Sequence, residues 1–150
     1  MRRKKRIVFL LLTILIFLII IIAVLRARSS MRWAQTLKTE DVAKIEAVVH
    51  PPVNDKPYKN FTEQEIDSVV KQINQCSGRF TLKPEKPAGA SFIYYITMKD
   101  GDVHTVANNG IELVIDETYY TGDEDRLNDW LNSVIGEVDS PLPDDFSFTY

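Results

Sequence analysis

Residues 91–120 read SFIYYITMKDGDVHTVANNGIELVIDETYY, and this stretch decides the fold. From Ser91 to Lys99 the apolar side chains alternate. Phe92, Tyr94, Ile96 and Met98 fall on one face, and Ile93, Tyr95 and Thr97 on the other. That is the period of two expected of a pleated strand. Asp100-Gly101 and Asn109-Gly110 are pairs that tolerate the left-handed backbone of a tight hairpin. Strands over Val103–Asn108 and over Ile111–Tyr120 are therefore expected to fold back on the first as an antiparallel meander.

Working outward, Arg79–Lys83 reads as a further short strand, and Pro84–Ala90, with two prolines and a glycine, as a loop. Before it stands the clearest helix signal in the chain. Thr62 and Glu65 have the spacing of a capping box, and Phe61 and Ile66 that of a hydrophobic staple. Ile66, Val69, Val70 and Ile73 then form one apolar stripe. Ser77-Gly78 ends this helix, Gly78 being suited to a left-handed cap. Val42 to His50 reads as a strand stopped by Pro51-Pro52. On the C-terminal side a second helix starts near Thr121 or Asp123. It carries Leu127, Trp130, Leu131 and Val134 on one face and stops at Gly136. The acids Asp123, Glu124 and Asp125 sit in its first turn, where they complement the helix dipole. Residues 137–150 are acidic, hold two prolines and end on alternating Phe146, Phe148 and Tyr150; they read as a tail.

The order of elements predicts an α+β domain: an antiparallel sheet with helices on one face. That face would bury Ile66, Val69, Val70, Ile73, Leu127, Trp130 and Leu131. The other face should be wetter, amphipathic where Tyr95 and Thr97 point to it.

The N-terminus has a different character. Arg2-Arg3-Lys4-Lys5-Arg6 precedes an uncharged run from Ile7 to Leu25, interrupted only by Thr13. As a helix this run is roughly 28 Å long, about the thickness of a bilayer hydrocarbon core. It exceeds the apolar core of a secretory signal, although Ala27-Arg28-Ser29 offers small residues for cleavage after about Ser29. The expectation is an uncleaved, single-pass signal anchor in the plasma membrane, with the lipid bilayer contacted through Ile7–Leu25. Five bases precede the run and three follow it, which favours a cytoplasmic N-terminus and an extracytoplasmic domain. Arg26, Arg28 and Arg32 can lie among anionic headgroups. Trp33 is either an interfacial residue or part of the domain core. The chain thus divides into a basic segment 1–6, an anchor 7–25, a juxtamembrane connector 26–40, a domain 41–136 and a tail 137–150.

Charge and composition exclude several functions. Residues 33–150 hold ten basic and 21 acidic residues, a net charge of −11, so nucleic acid is not an expected partner. A single cysteine excludes an intramolecular disulfide framework, a multi-cysteine zinc site and a lipobox at the end of the anchor. No phosphate loop, nucleophile elbow or His-Glu-x-x-His occurs. Cys76, His50 and His104 would make a thiol–imidazole pair only if the fold brought them together. Asp100 and Asp102 are explained by turn chemistry. No cofactor or metal is implied.

The basic start, the Ile/Leu-rich anchor, the Trp33…Leu37…Val42-Ala43-Lys44-Ile45 lead-in, the Tyr94-Tyr95-x-Thr97 strand and Tyr119-Tyr120 before Leu127…Trp130-Leu131 are similar to a known group. They resemble the single-pass, membrane-anchored extracytoplasmic domains of unknown function of Gram-positive bacteria, over most of residues 33–135. The resemblance implies an anchored outer domain and no catalytic residue. The expected function is non-enzymatic: a binding or regulatory module with a protein or peptide partner. Candidate partner residues are Tyr94, Tyr95, Tyr119, Tyr120, Phe146, Phe148 and Tyr150, with core packing the commoner fate of strand tyrosines. The alternatives are a hydrolase-like envelope enzyme using Asp/Glu or His50 and His104, and an accessory subunit of another membrane protein.

Overall fold

A computed structural model describes the backbone of residues 2–84 and 89–148, with side chains from residue 6 onward. The centre of the expected Pro84–Ala90 loop and the last two residues, with Tyr150, lie outside the described residues. The chain is α+β: a long N-terminal helix, a seven-stranded antiparallel sheet and two further helices.

The sheet is built around the meander. Strands β4 (Ser91–Met98), β5 (Val103–Asn108), β6 (Glu112–Ile115) and β7 (Thr118–Thr121) pair consecutively. Gly101 and Gly110 have φ of +99° and +84°, the left-handed backbone that both turns were expected to need. Strand β1 (Val42–His50) lies beside β4, and the short β2 (Tyr58–Asn60) forms one edge. Strand β3 (Arg79–Phe80) pairs with β7 at the opposite edge, giving the order β2-β1-β4-β5-β6-β7-β3. The stretch Ile111–Tyr120 is two strands rather than one. Asp116 and Glu117 turn the chain with φ of 45° and 61°. No glycine marks this hairpin. Aspartate tolerates the left-handed region, and the Asp116 carboxylate ties the turn to β5 by accepting the Thr105 amide at 2.9 Å.

Helix α2 (Glu63–Asn74) and helix α3 (Glu124–Glu137) cover one face of the sheet. Ile66, Val69, Val70 and Ile73 of α2 and Leu127, Trp130, Leu131 and Val134 of α3 are all buried, against Ile45, Phe92, Tyr94, Ile96 and Val106. Asn108 fixes the second hairpin to α3: its amide donates to the Leu127 carbonyl at 2.8 Å, while its oxygen accepts the Gly110 amide at 2.7 Å. Gly136 lies within α3 rather than ending it. Gly78 serves a close approach, since its φ is not positive and a Cβ there would lie 2.8 Å from that of Tyr120.

The α2 cap is carried by Glu65. Its carboxylate accepts the Thr62 amide and the Thr62 hydroxyl, both at 2.8 Å, and pairs with Lys59 at 2.8 Å. The Lys59 bond first, then the Thr62 donors, hold the Glu65 carboxyl down to about 2 from 4.5. A depressed carboxyl stabilises the fold fully above its unfolded value and loses that contribution as pH falls toward the folded one. Glu65 is 41 % exposed, so solvent screening keeps the effect below about 1 kcal/mol. The variant Glu65→Gln should be less stable near neutral pH and converge on the native chain as pH falls from about 4.5 to 2 in parallel urea titrations.

Helix α1 runs unbroken from Arg2 to Thr36. It is the one described helix long and apolar enough to cross a membrane. Its apolar run ends at Leu25, and about 16 Å of helix continues beyond it. The connector expected over 26–40 is therefore mostly helix, and it belongs to the domain. Ala27, Ser30, Ala34 and then Leu37 are buried against the sheet and α2. These small residues recur at helical spacing and let the sheet approach closely. The Tyr120 hydroxyl donates to the Ala27 carbonyl at 2.5 Å, and the Asn74 amide donates to the Ala34 and Leu37 carbonyls at 2.9 and 3.0 Å. Trp33 stacks on His104 with ring centroids 4.0 Å apart, which makes it part of this packing.

Candidate functional site

The sheet face away from the helices carries a small apolar cluster of Val48, Tyr58 and Tyr95, with Ile93 at its border. Strand alternation puts Val48 and Tyr95 there, opposite Ala47 and Tyr94 in the core. The segment after α3 folds back across this cluster. Ser140 forms an antiparallel bridge with Tyr58: the Tyr58 amide donates to the Ser140 carbonyl at 3.1 Å, and the Ser140 amide returns a bond of 3.0 Å. Leu142 and Phe146 then pack onto the cluster. The Phe146 ring meets Tyr95 edge-on at 5.3 Å and Tyr58 at 5.8 Å between centroids. Phe148 follows, 5.4 Å from Phe146 and 6.3 Å from His50.

Beside Phe146 lies an open cleft of about 350 Å³ bordered by Lys44, Glu46, Tyr58, Thr97 and Asp145. The Tyr58 hydroxyl donates to Glu46 at 2.5 Å, and Lys44 pairs with the same carboxylate oxygen at 2.8 Å. Burial, then the Glu46 carboxylate, push the Tyr58 phenol well above its ordinary value, so it remains a hydrogen-bond donor.

Of the seven residues proposed from sequence, the fold brings Tyr95, Phe146 and Phe148 together. Tyr94 and Tyr120 are buried core residues on the helical side. Tyr119 is half-buried on β7, beside α1. Tyr58 and Glu46 complete the face. A tyrosine six residues after the Pro51-Pro52 break was the available sequence signal for Tyr58.

Two other clusters have chemical groups. Cys76 lines a cleft of about 240 Å³ between the end of α2 and the start of α3, with Gln72, Asp123, Arg126 and Trp130; no histidine lines it. Burial pushes the Cys76 thiol up to about 12, opposed by Arg126. Its thiolate population at neutral pH is negligible, so maleimides should fail to label it until the protein is unfolded. The His104 Nδ1 lies 2.7 Å from Asp116 Oδ2, an arrangement that orients an imidazole. The ring is stacked on Trp33, and its cleft is lined by Arg26, Asp102, Thr105 and Glu117, without a serine or cysteine. Among the described residues no three His, Cys, Asp or Glu gather as a metal site. No protein-family model matches the chain, and no curated protein or solved structure matches it either.

Proposed function

We propose that this chain is a single-pass membrane protein whose domain lies outside the cytoplasm and binds a peptide segment of a partner protein on the Tyr58–Tyr95 face, without catalysing a reaction. The observation that carries the reading is the mode in which the chain's own tail occupies this face. An acidic, proline-containing segment pairs backbone to backbone with Tyr58 at the sheet edge and seats one aromatic ring against two tyrosines. Strand addition with an aromatic anchor is a general mode of peptide recognition. The tail therefore acts as a peptide bound in cis, and it defines the partner's chemistry: a short backbone pairing followed by a turn that presents an aromatic residue preceded by two carboxylates.

The flanking charge supports the orientation, since five bases precede the apolar run. The unbroken helix through Ser29 supports an anchor that stays attached. Val53 lies in the loop between β1 and β2 and is 59 % exposed. With Cys76 silent, Val53→Cys should be labelled by a membrane-impermeant maleimide on intact cells. Labelling only after lysis would reverse the topology.

A chain lacking residues 139–150, and with them the Ser140 bridge to Tyr58, tests the binding face. A labelled peptide spanning residues 137–150 should bind it, and should bind the intact chain at least about tenfold more weakly, because the covalently linked tail competes at high effective concentration. The same peptide carrying Phe146→Ala should lose most of its affinity. Equal binding to both chains, or none to the shortened one, would overturn the proposal.

A further inference from the structure

Arg28 and Arg32 on α1, like Arg79 on β3, stand outside the charge pairing of this acidic domain. Arg26 pairs with Glu117, and Arg126 donates to Gln75. Among the described residues, the guanidinium groups of Arg28 and Arg32 make no ion pair or hydrogen bond, although the rest of the domain carries an excess of carboxylates. They stand one turn apart on α1, on the same side of the helix. Both line a groove of about 270 Å³ between α1 and the β3–β7 edge, whose other walls include Val24, Met31, Phe80 and Tyr120.

The height of this groove matters. It starts at Val24, inside the apolar run. Arg28 and Arg32 lie roughly 5 and 10 Å beyond Leu25 along the helix. The headgroup layer of a bilayer is about 5–8 Å deep on each side, so the Arg28 backbone falls within it and that of Arg32 just beyond it, where its long side chain can reach back to the layer. On the other side of Phe80, Leu82 is 71 % exposed and shares a second groove with Ala23 of the apolar run. The β3 edge thus reaches down to the level of residues that belong to the membrane segment.

We infer that the groove holds one anionic phospholipid from the leaflet beneath the domain. The phosphate lies at Arg28 and Arg32, and an acyl chain runs from there along Phe80 and Val24 toward the apolar run. Free phosphate would satisfy the arginines but leave the apolar walls wet; a lipid satisfies both. Guanidinium groups suit the phosphate because they present several donors in a fixed plane. The site rests on the anchor reading above, and it gives the domain a fixed seating on an anionic membrane.

The full chain is placed in nanodiscs of phosphatidylcholine, alone or mixed in equal parts with phosphatidylglycerol, and bound lipid is counted by native mass spectrometry after release. The native chain should retain one phosphatidylglycerol. Arg28→Gln with Arg32→Gln should lower that retention at least several-fold, and the paired Lys substitutions should keep most of it. Carbonate extraction is scored in parallel on the same chains in liposomes of the same two compositions. A chain that resists extraction yet retains phosphatidylcholine and phosphatidylglycerol equally, or whose Gln variant retains as much as the native chain, overturns the lipid site alone. A chain that carbonate extracts overturns the anchor reading and the lipid site with it.

Discussion

Replacing Phe92 by alanine is expected to destabilise the domain by about 3–5 kcal/mol, the range for deleting a fully buried aromatic ring. Phe92 has no exposed surface, and it sits on β4, the strand between β1 and β5. Its ring lies 4.7 Å from that of Tyr94 and 5.0 Å from that of Trp130, both tilted, so it joins the sheet to α3. Neither neighbour can swing into the space. Tyr94 is completely buried on the same strand, and Trp130 is fixed by the helix that carries it. The loss is a large share of the roughly 5–15 kcal/mol by which domains of this size are stable. Thermal unfolding should shift down by on the order of 10–20 °C. Val53→Ala, an apolar deletion at an exposed position, should stay within about 0.5 kcal/mol. A Phe92→Ala midpoint close to that of Val53→Ala would mean that α3 does not pack on Phe92.

That packing was legible in the sequence wherever one local rule was enough. The alternation from Phe92 to Met98, the two glycine turns and the apolar stripes of α2 and α3 each correspond to an observed element. What could not be read has three physical causes. The Asp116-Glu117 hairpin depends on a carboxylate bonding to a neighbouring strand, and no glycine announces it. Strand β2 is only three residues long, too short for a period to register. The tail and the C-terminal part of α1 are placed by distant partners: Ser140 by Tyr58, and Ala27 by Tyr120. The aromatic face was half legible for the same reason. The alternation that assigned Tyr95 to the outer face could not show that Phe146 covers it. Tyr120 stood among the candidate tyrosines because nothing local revealed the helix packed against it.

The helix that buries Tyr120 supports the second large effect. A chain beginning at Lys38, without α1, should not reach the native fold, whereas one beginning at Ala23 should be folded and free of most of the apolar run. Removing residues 1–37 exposes the surface now covered by Ala27, Ala34 and Leu37. It also takes the acceptors from the Tyr120 hydroxyl and the Asn74 amide, and the donor from the Cys76 carbonyl, which accepts the Gln35 amide at 2.8 Å. A buried polar group left without its partner costs about 1–3 kcal/mol. Several such losses plus the uncovered apolar surface approach the whole stability of a domain this size. Ala34→Asp tests the same contact in the full chain: a carboxylate would be forced into a site with no exposed surface, and the group would unfold the contact rather than remain there ionised. Near-ultraviolet circular dichroism and urea titration distinguish the cases. Cooperative unfolding of the chain that begins at Lys38, at the same midpoint as the chain that begins at Ala23, would make residues 26–36 a passive connector. Loss of cooperativity in that chain and in Ala34→Asp would make the end of α1 a structural element of the domain, which then cannot move independently of the apolar run that precedes it.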